Sequence, residues 1–467
     1  MARGKARRDV PAACLVRLPW PISGAAVLSG RTASGSHMSW LYLFLAGLAE
    51  TGWAIGLKYT DGFTRLWPSV FTGLGMALSF MLLSIAIHPS NREQDENRAR
   101  DDSPSAPQAC PVSSHNEWDP LEEVIVGRLE GATIPSNHPT VTSNIPGLAA
   151  KKVHALVAGM RFPKIMSEPA QRELDGFIKI LESFGIKVRR PDAIDWKRRF
   201  GTPNWRARGF INACPRDSML VIGDEIIETP MAWPTRYFET HSYRTLLKEY
   251  FRAGARWTSA PKPELRKELF DDAYRIPKEG DPIGYVLTEW EPVFDAADFM
   301  RCGRDLFVQK SNVTNAMGIE WLRRHLSDRG YRIHEIESRC RMPMHIDTTF
   351  VPLAPGKVLV NPEYLDISRL PPILKDWEIL VAPEPNPIED RLLKITSMCG
   401  KWLSMNVLTL DEKHVVVERH HTSMIKALEK WGFEPVPCDF LHYGAFGGAF
   451  HCATLDIRRR GNLESYF

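Results

Sequence analysis

None of the eight cysteines (Cys14, Cys110, Cys214, Cys302, Cys340, Cys399, Cys438 and Cys452) stands in a C-x-x-C pair, so the spacing that announces a structural zinc is missing. Eight thiols in 467 residues are also too few for a disulfide scaffold. What remains is a set of free thiols in a reducing compartment, one of which could be a nucleophile. An excess of one charge is missing as well. Fifty-nine basic and 56 acidic residues leave a net charge of +3, without the clustered basic surface that nucleic-acid binding requires. The Arg458-Arg459-Arg460 run reads as a solvated strand end. No exact internal repeat is visible. The composition, 44% hydrophobic and 25% charged, is ordinary for a folded chain and excludes global disorder. The length exceeds that of one typical domain.

Composition divides the chain. Residues 1–37 are rich in Arg, Gly and Ala with one acid, Asp9. They read as a transit peptide or as an artefact of the assigned start, and Gly35-Ser36-His37-Met38 resembles a cloning scar. Residues 38–88 hold two apolar runs, Trp40 to Leu57 and Leu66 to Ile87, separated by the polar turn Lys58-Tyr59-Thr60-Asp61-Gly62. Each run approaches the ~20 residues that a membrane-spanning helix needs, which predicts a transmembrane hairpin; a buried helical hairpin is the alternative. Glu50 interrupts the first run, and a carboxylate at membrane depth points to function. The stretch Ala46-Gly47-Leu48-Ala49-Glu50-Thr51-Gly52-Trp53 resembles the start of a small multidrug resistance transporter of the guanidinium-exporter type. The resemblance implies that Glu50 binds a cationic substrate, but that family has four spans and only two are present. Residues 89–115 have the charged, Pro- and Ser-containing composition of a disordered linker.

From residue 116 onward short β-rich runs (Glu123–Val126, Met219–Ile222, Val358–Val360, His414–Val417) alternate with helical stretches such as Glu168 to Phe184 and Asn315 to Leu326. The alternation predicts an α/β architecture. Within it, four short motifs carry chemistry. Gly447-Gly448-Ala449-Phe450-His451-Cys452 leads into a β-like stretch, and period two places Cys452, Thr454 and Asp456 on one face. In Met344-His345-Ile346-Asp347, a strand-like reading puts His345 and Asp347 on one face; a histidine there can move a proton near neutral pH. Phe294-Asp295-Ala296-Ala297-Asp298 sets two acids three apart between small residues, which also fits a helix N-cap. Pro215-Arg216-Asp217 precedes a strand and alone reads as a salt bridge.

A cysteine, a histidine and several carboxylates suit attack on a guanidinium carbon. That group is planar, cationic and rich in donors, carboxylates bind it bidentately, and a thiolate is the fitting nucleophile. Longer stretches then decide the matter. Asn116-Glu117-Trp118-Asp119-Pro120-Leu121 through Arg128, Glu225-Ile226-Ile227-Glu228 with Pro230-Met231-Ala232-Trp233, Gly318-Ile319-Glu320-Trp321, and Lys401-Trp402-Leu403-Ser404-Met405-Asn406-Val407 resemble the glycine amidinotransferase family.

The resemblance implies a pentein α/β-propeller of five ββαβ modules over residues 116–467. It implies an amidinotransferase that works by a ping-pong mechanism through an amidino-cysteine, with L-arginine and an amine as substrates and with neither metal nor organic cofactor. Cys452 would be the nucleophile, His345 the general acid/base, Asp295 its partner, and Asp217 and Asp347 the carboxylates that grip the guanidinium. A guanidine hydrolase of the same fold is one alternative; a guanidinium-handling membrane protein with an inactive appended domain is another.

The substrate-reading positions depart from the creatine-type pattern. Met342 replaces an asparagine before Pro343-Met344-His345, Tyr364 follows Glu363 where an arginine pairs with the donor carboxylate, and Cys399-Gly400 replaces two serines. Met342, Met344, Tyr364, Cys399 and Gly400 are therefore the expected determinants of substrate, with glycine or a bulkier natural-product amine as acceptor. The predicted organisation is a membrane-anchored enzyme with its catalytic part in the cytosol or an organelle, and a homodimer is open to it.

Overall fold

The computed structural model describes residues 35–61, 63–82, 110–143, 145, 148–208, 211–390, 393 and 399–467. Residues 1–34 of the basic leader and most of the expected linker lie outside them. The chain divides into two compact units, Met1–Pro107 and Gln108–Phe467.

In the first unit a helix runs over Gly35–Leu57 and a second over residues 66–82. They meet through small residues: Ser79 Oγ donates to the Ala46 carbonyl at 3.1 Å, Gly56 lies against Thr72, and Gly75 lies against Trp53. Phe44, Leu48, Trp67, Phe71 and Leu74 face outward and are exposed, as is Glu50. Among the described residues no helix is long and apolar enough to cross a membrane. The expectation of two complete spans is corrected to that extent. The first helix carries Glu50 and begins in Gly35-Ser36-His37. The described part of the second, at ~1.5 Å per residue, is about 25 Å long, short of the ~30 Å hydrocarbon core.

Among its described residues the second unit contains five three-stranded sheets. Their strands are β1 (Leu121–Val126), β2 (Lys187–Arg189), β3 (Phe200–Gly201), β4 (Arg206–Ala207), β5 (Met219–Ile222), β6 (Glu225–Glu228), β7 (Arg256–Ser259), β8 (Phe299–Cys302), β9 (Asp305–Val308), β10 (Arg332–Glu335), β11 (Phe350–Ala354), β12 (Lys357–Val360), β13 (Glu378–Val381), β14 (Leu408–Thr409), β15 (His414–Glu418), β16 (Glu434–Cys438) and β17 (Thr454–Arg459). β3 and β4 form a separate ribbon. Four sheets repeat one pattern: an antiparallel pair (β5-β6, β8-β9, β11-β12, β14-β15) followed by a parallel third strand (β7, β10, β13, β16). The fifth joins the ends of the unit, with β1 antiparallel to β17 and parallel to β2.

Helices Arg244–Arg252, Ala316–Leu326 and Thr422–Lys430 make three of the parallel crossovers, as a parallel connection requires. The crossover from β12 to β13 has only short 3-10 turns, Ile367–Arg369 and Pro372–Leu374, because Pro371 and Pro372 cannot continue a helix ladder. Asn315 caps the Ala316–Leu326 helix by accepting from the Gly318 amide at 2.9 Å, which fixes the start that its sequence announces. Gly223 and Gly303, at φ +61° and +66°, turn β5 into β6 and β8 into β9, a left-handed conformation that suits glycine.

Between the sheets lies a buried ionic lattice. Arg301 donates to Glu117 (Nε, 2.8 Å) and Asp456 (Nη2, 2.7 Å); Arg216 and Arg459 reach Asp456 at 2.5 and 2.8 Å. Arg459 is fully buried, which corrects its reading as part of a solvated strand end; Arg458 and Arg460 instead flank Glu122. Arg216 pairs with Asp456 and Glu117 rather than with its sequence neighbour Asp217.

Candidate active site

Cys452 lies in the turn just before β17 rather than within a strand. It is placed by Gly448: a Cβ there would stand 2.4 Å from the Cys452 Cβ and 2.9 Å from its Sγ. The thiol is buried. It donates to Asp347 Oδ2 at 3.1 Å, and Asn406 Nδ2 donates to the sulfur at 3.1 Å. Asn406 Oδ1 accepts the backbone amides of His451 and Cys452 at 3.0 and 3.3 Å, so one side chain fixes both the sulfur and its backbone.

His345 and Asp347 converge on this thiol by a route other than the strand expected. Ile346–Thr348 is a 3-10 turn, and His345 enters it at φ 61°, ψ 137°. That conformation is rare for a residue with a Cβ, and such strain is typical of functional positions. Asp295 precedes the 3-10 turn Ala296–Asp298, where it makes no side-chain cap. Its carboxylate accepts from His345 Nε2 at 3.1 Å instead. Asp298 faces away, receiving Ser311 and Thr314 at 2.6 and 2.5 Å, and burial pushes its carboxyl up to about 7.

Asp217 completes the group. Its Oδ1 is 3.7 Å from His345 Nδ1 and has no hydrogen bond among the described residues. Its Oδ2 receives Arg236 at 2.6 Å. One heteroatom each from Asp217, His345 and Cys452 lies within 4.8 Å of the other two. These donor types can ligate a metal, but Arg236 also stands 3.8 Å from Asp295, and its fixed cation opposes a second positive charge there.

Electrostatics set the resting protonation. Burial disfavours a charged His345, yet the Asp217 and Asp295 carboxylates overcome it and hold the imidazolium well above its ordinary range. Contact with Cys214, burial and the Asp347 carboxylate raise the Cys452 thiol well above its ordinary value. Asp347 is lowered: burial opposes ionisation, but the bonds from His451 and Cys452 and the neighbouring His451 and His345 rings together outweigh it.

The expected substrate-reading residues lie in two places. Cys399 is close enough to Cys452, Asp347 and Asp217 for their charges to bear on it, and its thiol faces the Gly444 carbonyl at 3.8 Å. Tyr364 lies across from Gly400, with its hydroxyl 3.7 Å from where a Gly400 Cβ would stand. Met342 and Met344 are half-buried, Met344 against the cluster containing Trp233 and Phe270. Glu50 belongs to the other unit. Sequence reasoning missed Arg236, Asn406, His451 and Cys214 as site residues. Asn406 and His451 stand inside quoted motifs, but nothing in their spacing marks them as neighbours.

Comparison with known proteins decides the family. The chain is 49% identical over 362 residues to the L-arginine:L-lysine amidinotransferase of Pseudomonas savastanoi pv. phaseolicola, covering 77% of this chain and 97% of that protein. It is 45% identical over 411 residues to the mitochondrial glycine amidinotransferase of Gallus gallus, covering 85% and 93%. The chain belongs to the amidinotransferase family. Among solved structures, the amidinotransferase SxtG of the saxitoxin biosynthetic pathway of Microseira wollei superposes with a TM-score of 0.73 at 54% identity, covering 77% of this chain and all of that one. The amidinotransferase unit thus has the α/β, pentein-like fold of these enzymes. Residues 38–91, ahead of it, match the family described as Small Multidrug Resistance protein.

Proposed function

We propose that this amidinotransferase takes its amidino group from L-arginine and passes it to an amine larger than glycine, with Cys452, His345 and Asp295 as the catalytic groups. The carrying observation is the buried carboxylate pair around the sulfur. Asp347 touches Cys452, and Asp217 Oδ1 beside it lacks a hydrogen bond. A guanidinium seated between them satisfies both acids and brings a cation to the thiol. That cation lowers the thiol's pKa, so the substrate itself promotes formation of the nucleophile.

The steps follow from the geometry. As the guanidinium binds, the Cys452 thiol gives up its proton to solvent, and the thiolate Sγ bonds to the guanidinium carbon. The bond from that carbon to the substituted nitrogen breaks as His345, protonated and held by Asp295, gives its proton to the departing amine of ornithine. The acceptor amine then attacks the amidino-cysteine, its proton returns to His345, and the carbon–sulfur bond breaks. Burial of the thiol keeps water from the intermediate. The five three-stranded sheets would surround this site as the modules of a pseudo-fivefold propeller.

A larger acceptor is supported by Gly400, which leaves room opposite Tyr364, and by half-buried Met342 in place of a polar side chain. The relative named for L-lysine agrees with it. Membrane attachment through residues 38–88 is supported by the transporter-family match and the outward apolar side chains, and flotation of the full chain with vesicles tests it.

Single-turnover mass spectrometry tests the chemistry. Arginine alone should leave an amidino adduct on Cys452 that persists until an amine is added, and lysine should discharge it faster than glycine. Citrulline released without an amine would make the enzyme a hydrolase.

A further inference from the structure

His451 precedes the nucleophile and has no role in the steps above, yet all its polar groups are engaged. Its Nδ1 lies 3.0 Å from Asp347 Oδ2 and its Nε2 3.4 Å from Glu117 Oε2. Its backbone amide donates to Asn406 at 3.0 Å, and its carbonyl accepts from Arg216 Nε at 2.8 Å. The ring is buried. Glu117 is itself gripped by Arg301, which donates to both of its oxygens at 2.8 Å. A continuous line of polar contacts therefore runs from Cys452 through Asp347 and His451 to Glu117 and the arginine lattice. The Asp347 oxygen that faces the thiol is the one that faces His451.

We propose that His451 is a positioning residue, which pins the Asp347 carboxylate against Cys452 and ties it to the buried arginine lattice. The inference rests on the reading of Asp347 as a guanidinium ligand. A carboxylate held in this way meets the substrate without reorganising, and an electrostatic contact is most effective when it is fixed in advance. Asp347 sits in a three-residue turn, and the polar side chains facing its Oδ2 are His451 and Cys452. Without the imidazole, its orientation depends on the thiol that must react.

The test compares His451→Ala with His451→Asn in the full chain, since an asparagine amide can take the place of the Nδ1 donor. In H451A crystals Asp347 should turn away from the Cys452 sulfur, and adduct formation from arginine should slow about 100-fold, as for an ångström-scale misplacement. H451N should return Asp347 to its place and recover most of that loss at the same melting temperature as H451A. The inference is overturned if Asp347 keeps its position in H451A, or if H451N is no faster than H451A. Should the unmodified enzyme form no adduct from arginine, the donor assignment fails, while the position of Asp347 in the H451A crystals still decides the role of His451.

Discussion

The Cys452 thiol faces the Asp347 carboxylate at 3.1 Å, so the proposed nucleophile rests against an anion. Such a neighbour holds the proton on sulfur. His345 acts in the opposite direction but does not prevail. The arrangement suits an enzyme whose substrate carries a permanent cation: the free site is quiet, and the guanidinium changes the balance.

A first prediction follows for the free enzyme. Iodoacetamide should label Cys452 slowly at pH 7, more slowly than free cysteine with its pKa of ~8.5. The rate should rise with pH through and beyond 9, because the thiolate is the reactive form and the thiol is raised well above 9.0. Mass spectrometry of the Cys452 peptide over a pH series gives the curve. Labelling at pH 7 as fast as that of free cysteine would contradict the electrostatic account.

Much of this site was legible before any coordinates. Cys452, His345, Asp295, Asp217 and Asp347 stand in short motifs whose residue types fit guanidinium chemistry, and all five come together. Their local conformations were not legible. His345 and Asp347 share a face through a 3-10 turn at positive φ rather than through a strand, because period-two reasoning cannot register a backbone strained by its surroundings. The lattice around Arg459 was hidden for another reason. A run of three arginines looks solvated unless one knows that Asp456, Asp119 and Thr409 meet the middle one inside the fold.

Asp295→Asn should reduce turnover by roughly 10²–10⁴-fold, the range for loss of assisted proton transfer. It should also move the pH profile. In the proposed cycle His345 serves as an acid, so activity should fall as pH rises through its pKa. Asp217 and Asp295 both hold that pKa high, and neutralising Asp295 must shift the alkaline fall to lower pH. Steady-state rates between pH 6 and 10 would show the displacement; an unmoved alkaline limb would remove Asp295 from the role of partner.

Gly448→Ala probes placement without touching a titratable group. The new Cβ would stand 2.4 Å from the Cys452 Cβ and 3.2 Å from the Cys214 sulfur, so the Cys452 loop has to shift. Adduct formation should drop about 100-fold for an ångström of displacement, with the melting temperature much less affected. Equal activity to the parent would mean that the sulfur tolerates movement.

Arginine 459 tests the lattice on which the site rests. Its guanidinium donates to Asp456 at 2.8 Å and to the carbonyls of Asp119 and Thr409 at 2.6 and 2.9 Å, with no exposure to solvent. Arg459→Ala leaves buried acceptors unpaired and should cost about 3–5 kcal/mol, read as a lower midpoint in urea unfolding. Arg459→Met fills the space but, like alanine, takes one of three arginine donors from Asp456 and the donor from both carbonyls, so it should recover only part of the loss. The sign with pH follows from Asp456, whose carboxyl is held below its ordinary 3.8 by Arg216, Arg459 and Arg301 against the effect of burial. A depressed folded pKa gives stability that is present above the unfolded value of ~3.9 and lost as pH falls through the folded one. The parent should therefore lose stability steeply below pH 4. Arg459→Ala, with Asp456 less depressed, should show a smaller loss over the same interval. Parallel acid-unfolding curves for the two proteins would place the acid sensitivity elsewhere than in this lattice.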